Sequence, residues 1–214
     1  MVNVHALVAT GVNTDGHREI LGLQVTFGED GAGWLSFFRD MVARGLSGVA
    51  LVTSDAHAGL VAAIGATLPG ASWQRCRTHY AANLMSTCPK ASWPWVKTLL
   101  HSVYDQPDAK SVAAQYDRVL SALTEKLPQV VEHLEVNRAD VLAFTAFPKE
   151  IWRQIWSNNP QVIWSRLSGV VDVADGLDRS VIVRAGHGYL QPSSRHAQGR
   201  SDVRCSGGGV RLAA

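Results

Sequence analysis

The run Val49–Thr53 (VALVT) constrains the fold most. Its apolar character is unbroken until Ser54-Asp55, so it reads as a buried strand, and such a strand needs helices packed against its sheet. Both flanks supply them. Upstream, Trp34, Phe37, Phe38, Met41 and Val42 recur at spacings of three and four, and Gly45 and Gly48 stand where a helix would stop. Downstream, HAGLVAAIGATL reads as a second helix closed by Pro69-Gly70.

Ahead of these elements, VHALVATGV and EILGLQVTF flank Asp15-Gly16. Glycine supplies the positive φ that a tight hairpin turn demands, so two antiparallel strands are expected. A further short strand is expected at Ser72–Cys76 (SWQRC). From Tyr80 to about Trp156 the pattern is helical throughout, with Pro89, Pro107, Pro128 and Pro148 at or near helix starts, where a missing N–H does no harm. The expected organisation is α/β: a mixed-sheet core over residues 1–80, a helical insertion over 81–160, and a tail over 161–214.

The tail differs in kind. It holds no Glu, Lys or Phe but seven Arg and eight Gly, whereas the preceding residues hold five Lys, six Glu and all five Phe. That is a break in composition. It reads either as a flexible Arg/Gly-rich tail or as a GC-rich gene translated in the wrong frame. The abruptness of the break favours the second, and disorder is expected under both.

No apolar run approaches the roughly 20 residues that span a bilayer, so no membrane association is expected. The opening residues MVNVHALVATGVNTDG carry no basic region ahead of their apolar stretch, which points to a cytoplasmic chain. Cys76, Cys88 and Cys205 form an odd, widely spaced set and read as reduced thiols. A net charge of +2 fits a polyanionic partner without announcing one.

Asp55 is the first candidate for chemistry. A carboxylate where a buried strand ends and a helix begins lies in the crevice where sheet folds place catalytic groups. The same residue, with Ser54, also reads as a helix N-cap, and the two readings carry equal weight. His57 shares the loop. Cys76-Arg77-Thr78-His79, a C-x-x-H at a strand end, is the second candidate. A structural zinc site needs four ligands, and Cys88 and His101 complete the set only at irregular spacing, so a buried Cys beside a hydrogen-bonded His is the stronger reading. Arg75 and Arg77 flank the motif and are candidate DNA contacts. Trp152 and Trp156, at i and i+4, read as core packing. No phosphate-binding glycine loop and no G-x-S-x-G is present, which removes support for nucleoside-triphosphate chemistry and serine hydrolysis.

Taken together, GVNTDGHREILGLQV (11–25), LVTSDAHAGL (51–60), WQRCRTHYAANL (73–84) and VLAFTAFPKEIWRQIWSNNP (141–160) resemble the Mutator-type transposases of bacterial insertion sequences, over about residues 2–160. The resemblance implies an RNase H-like core with a helical insertion. It also implies a DDE-type enzyme in which three carboxylates hold two Mg²⁺ ions for in-line phosphoryl transfer on insertion-element DNA. Asp55 matches the second carboxylate, hence a metal ligand, and Cys76 with His79 matches the family's C-x-x-H. The first carboxylate would sit on a strand just upstream of residue 1, Asp15 being in the hairpin turn. The last would be a Glu on a basic helix after Pro160, where no Glu occurs. The family's N-terminal DNA-binding region is not seen either. The expectation is a truncated transposase with an incomplete sheet, inactive alone because one carboxylate cannot clamp two metals. A competing reading is a non-catalytic module that associates with full-length transposase or DNA.

Overall fold

The computed structural model describes residues 5–12, 18–26 and 30–158, together with the backbone of a strand at 181–189. β1 (His5–Val12) and β2 (Arg18–Thr26) pair antiparallel, from His5 opposite Thr26 to Val12 opposite Arg18, with a bulge between Ala9 and Thr10. They are the expected hairpin strands; the Asp15-Gly16 turn lies outside the described residues.

α1 (Gly31–Ala43) starts at Asp30, whose carboxylate accepts the Gly33 N–H at 2.7 Å. Trp34, Phe37, Phe38 and Met41 are buried, as the spacing predicts, but Val42 is 40% exposed. Eight residues beyond Trp34, it has rotated about 80° around the helix and off the apolar stripe.

β3 (Val49–Ser54) and β4 (Ser72–Arg75) pair in parallel across α2 (Ala58–Thr67). The helical stretch comprises α3 (Arg77–Ser86), α4 (Trp93–Tyr104), α5 (Ala109–Leu123), α6 (Pro128–Leu142) and the single turn α7 (Trp152–Ile155).

The sheet order is β2-β1-β5-β3-β4, where β5 is Val181–Tyr189. β5 runs antiparallel to β1 and parallel to β3. Over 181–189 this differs from the expected disorder of the tail, and it places a strand between β1 and β3 where an incomplete sheet was expected. Facing rows of backbone N–H and C=O on β1 and β3 lie between two helical layers, and leaving them unpaired would be costly. A strand from the tail satisfies both rows whatever its side chains, because ladder bonds are made by backbone alone. Residues 159–180 and 190–214 of the tail lie outside the described residues.

Two apolar clusters cover the sheet. Leu7, Ala9 and Val52 pack with α1 and α2; Val12 and Leu51 pack with the α3–α7 helices. Leu51 and Val52 thus point to opposite clusters, the pattern of a strand buried on both faces. The N-termini of α1 and α2 meet closely, so that a Cβ on Gly59 would stand 2.7 Å from Gly31 Cα.

One buried side chain ties the helices to the sheet edge. Gln74, fully buried on β4, donates through Nε2 to Val141 O (2.9 Å) and Arg75 O (2.7 Å), and accepts the Phe144 N–H at 2.8 Å. Gln74→Leu keeps the volume but strips three backbone groups of a partner, at about 1–3 kcal/mol for each one left buried and unsatisfied. Chemical denaturation is expected to register a loss of about 3 kcal/mol or more. A loss under about 1 kcal/mol would mean that water reaches these groups.

Candidate functional site

Asp55 follows the last residue of β3 and is partly exposed. The N-cap of α2 falls on His57, two residues further on, so neither Ser54 nor Asp55 occupies the capping position. Ser54, fully buried, is held by its neighbours: its hydroxyl accepts the Trp73 indole N–H at 2.8 Å and donates to Asp55 O at 2.8 Å. The strand end that carries Asp55 is thereby fixed from two sides. His57 is exposed.

The C-x-x-H lies beside this strand end. The Cys76 N–H donates to Ser54 O at 2.7 Å, which carries the pairing of β3 and β4 one step past the ladder. Cys76 is the N-cap residue of α3, so His79 stands in the helix's first turn. The helix begins three residues before Tyr80, where its periodic pattern had been read to start.

A second segment closes over the motif. Trp156 O accepts the Arg77 N–H at 2.9 Å, and Ile155 O accepts the Thr53 hydroxyl. Ser157 Oγ lies 2.9 Å from Thr78 Oγ1 and 3.5 Å from Cys76 Sγ, and the Asn158 N–H donates to the same sulfur at 3.5 Å. Ser157 and Asn158 are buried at 7% and 4% exposure, which polar residues rarely are unless something holds them. In the sequence they stand out only as the end of a longer motif, 141–160. Their one local signal was position, directly after a Trp-rich helical turn.

The electrostatics match this wiring. Burial works to raise the Cys76 thiol pKa, but the His79 imidazole, the Ser157 hydroxyl and the backbone N–H groups of His79 and Asn158 outweigh it and bring it from 9.0 to about 6. His79 moves the other way: Cys76 raises its pKa, burial opposes, and the Cys76 and Asp55 charges add to the rise. A thiolate beside an imidazolium, with a carboxylate near, is the arrangement these shifts describe. A thiol pKa depressed on folding adds stability that is fully present above 9.0 and is lost as pH falls through about 6. Thiolate ultraviolet absorbance, taken as the difference from Cys76→Ala, is expected to titrate near pH 6; a midpoint above about 8 would mean that burial wins.

Arg75 and Arg77, read as candidate DNA contacts, are both engaged by the protein. Arg75 donates to Asn137 Oδ1 and lies 5.2 Å from the centre of the Tyr80 ring. The Arg77 guanidinium stacks at 4.2 Å on Trp156 and 5.0 Å from the Tyr104 ring centre. Trp152 and Trp156 pack edge-on against Phe144 at 5.0 and 5.6 Å, in keeping with a core role.

No group of three His, Cys, Asp or Glu side chains placed to hold a metal occurs among the described residues. Mg²⁺ takes hard oxygen ligands in near-octahedral order, and no second and third carboxylate among the described residues stands with Asp55 to share one. The donor set present here does not fit a Mg²⁺ pair.

Residues 1–164 match the model of a family described as transposase, Mutator family. The chain is similar to the transposase for insertion sequence element IS1081 of Mycobacterium tuberculosis, at 80% identity over 161 residues, covering 75% of this chain and 39% of that protein. It is also similar to the transposase for element ISRM5 of Rhizobium meliloti (33% over 153 residues; 72% and 38%). To the transposase for IS256 in transposon Tn4001 of Staphylococcus aureus it is 46% identical over 83 residues (39% and 21%). The chain thus spans about two-fifths of the length of the first of these relatives. Among the described residues no helix is long and apolar enough to cross a membrane.

Proposed function

The chain belongs to the Mutator family of transposases, and on that premise we propose that residues 5–158 are part of a DDE-type enzyme that cuts and joins insertion-element DNA in the cytoplasm. In this reading the sheet is an RNase H-like core, and Asp55 is one of three carboxylates that hold Mg²⁺ in the complete enzyme. Cys76 and His79 position the strand end that carries it. The observation that carries the reading is the place of Asp55, at the end of a doubly buried parallel strand whose last turn of chain is tied down by Trp73, Cys76 and the Ile155–Asn158 segment.

A polypeptide of these 214 residues does not itself cut or join DNA. Among the described residues no second and third acidic side chain joins Asp55 in a group placed to hold a metal, and one carboxylate cannot clamp two divalent ions. The alternative reading is a non-catalytic module that associates with full-length transposase or DNA.

Two preparations test this on supercoiled plasmid carrying the matching inverted repeats. The 214-residue chain alone is expected to yield no nicked or joined product. Residues 5–158, grafted in place of the corresponding segment of the IS1081 transposase, are expected to support transposition. Product from the isolated chain would sink the inactivity; a folded but inert graft would sink the catalytic assignment of this segment.

A further inference from the structure

We propose that the groove between α3 and α4 seats nucleotides of single-stranded DNA, taking their phosphates on Arg77 and Lys97 and a base against Trp93; this rests on the DNA reading above. The groove has a volume of about 700 Å³, and no Asp or Glu lines it. That is inside the range of roughly 300–1,000 Å³ typical of ligand pockets.

Arg77 is the anchor. Its guanidinium is half-buried between Trp156 and Tyr104, and burial lowers its pKa against the opposing effect of Tyr104 and Asp105. Arg77 takes part in neither of the ion pairs Arg44–Asp40 and Arg138–Asp117, and its partly desolvated charge rests against the Trp156 and Tyr104 rings. An anion in the groove would offset that cost. Lys97 adds an exposed ammonium on α4, and His101 a ring N–H.

The groove walls are otherwise apolar and aromatic. Met85 and Tyr104 line it, and Trp93 stands 38% exposed, one of the few large apolar side chains left to solvent. Cations beside a free aromatic face suit a strand whose bases are unstacked, since every base has a π-face and stacking needs no sequence. A duplex keeps its bases stacked inside and offers Trp93 none. The location fits as well. Thr78 lines the groove and bonds Ser157, so one end of the groove opens on the same α3 turn whose His79 feels the Asp55 charge.

The test is fluorescence anisotropy of the 214-residue chain with a short labelled oligonucleotide, single-stranded and as its duplex. The single strand is expected to bind more tightly, and Lys97→Glu and Trp93→Ala each to weaken it about tenfold. Trp93→Phe, which keeps a ring but loses the indole bond to Cys88 O (3.1 Å), is expected to retain most of the affinity. Lys126→Glu, the same charge change outside the groove, is expected to cost less than about twofold. If Lys126→Glu weakens binding as much as Lys97→Glu, or duplex and single strand bind alike, the groove assignment is overturned while the DNA reading stands. If neither form binds, the groove assignment falls, and the graft experiment decides the DNA reading separately.

Discussion

A chain ending at residue 160 is expected to lose cooperative thermal unfolding and to aggregate, although the deleted tail has the least protein-like composition in the molecule. β5 pairs along its length with β1, from His5 opposite Tyr189 to Val12 opposite Ile182, and with β3 from Val49 to Thr53. Without it the sheet divides into β2-β1 and β3-β4, and two long edges face each other across an empty slot. Those edges are apolar: Ala6, Leu7, Val8, Ala9 and Val12 on one side and Leu51 and Val52 on the other are all buried in the intact sheet. Two-stranded ribbons are marginal on their own, and unpaired apolar edges recruit other chains. The lost ladder and burial exceed the roughly 5–15 kcal/mol that holds an ordinary domain together. Circular dichroism melting with size-exclusion chromatography reads the result. A truncated chain that stays monomeric with an unchanged melt would show that β5 contributes nothing to the sheet.

The elements that were legible in the sequence are those whose environment repeats at short range. VALVT announced a buried strand because its central residues meet apolar layers, Leu51 on one face and Val52 on the other. The antiparallel pairing of β1 and β2 was legible through the strand-like runs that flank Asp15-Gly16, and the position of Asp55 through the end of VALVT. β5 was not, because its place is set by the vacancy between β1 and β3 and not by its own pattern; Arg184, Gly186, His187 and Gly188 argue against a central strand. Nor were Ser157 and Asn158, whose burial depends on Cys76 and Thr78 some eighty residues earlier in the chain. Arg75 and Arg77 illustrate the same limit. Charge can be counted along a chain, but the tyrosine and tryptophan rings that receive these guanidiniums are brought to them only by the packing of α3, α4 and α6 with the Trp156 segment.

Asp55→Asn in the grafted IS1081 transposase is expected to lower product formation by roughly 10³-fold or more while leaving the melting temperature nearly unchanged. The substitution keeps size and hydrogen-bonding reach and removes one negative charge. Losing a single preorganised electrostatic group costs on the order of 10²–10⁵ in rate at sites that transfer acyl or phosphoryl groups. Stability is insulated because Asp55 is partly exposed and does not occupy the α2 N-cap, while the strand end is held by Ser54, Trp73 and Cys76, none of which changes. His79→Gln gives the necessary contrast. It removes the group that lowers the Cys76 pKa, so it is expected to shift the thiolate titration upward and to lower stability and activity together. A positioning residue produces that joint loss, and a catalytic carboxylate produces loss of rate alone. If Asp55→Asn reduced melting temperature and activity in the same proportion as His79→Gln, Asp55 would be a structural residue of the β3–α2 turn, and the catalytic carboxylate of this segment would have to be sought elsewhere.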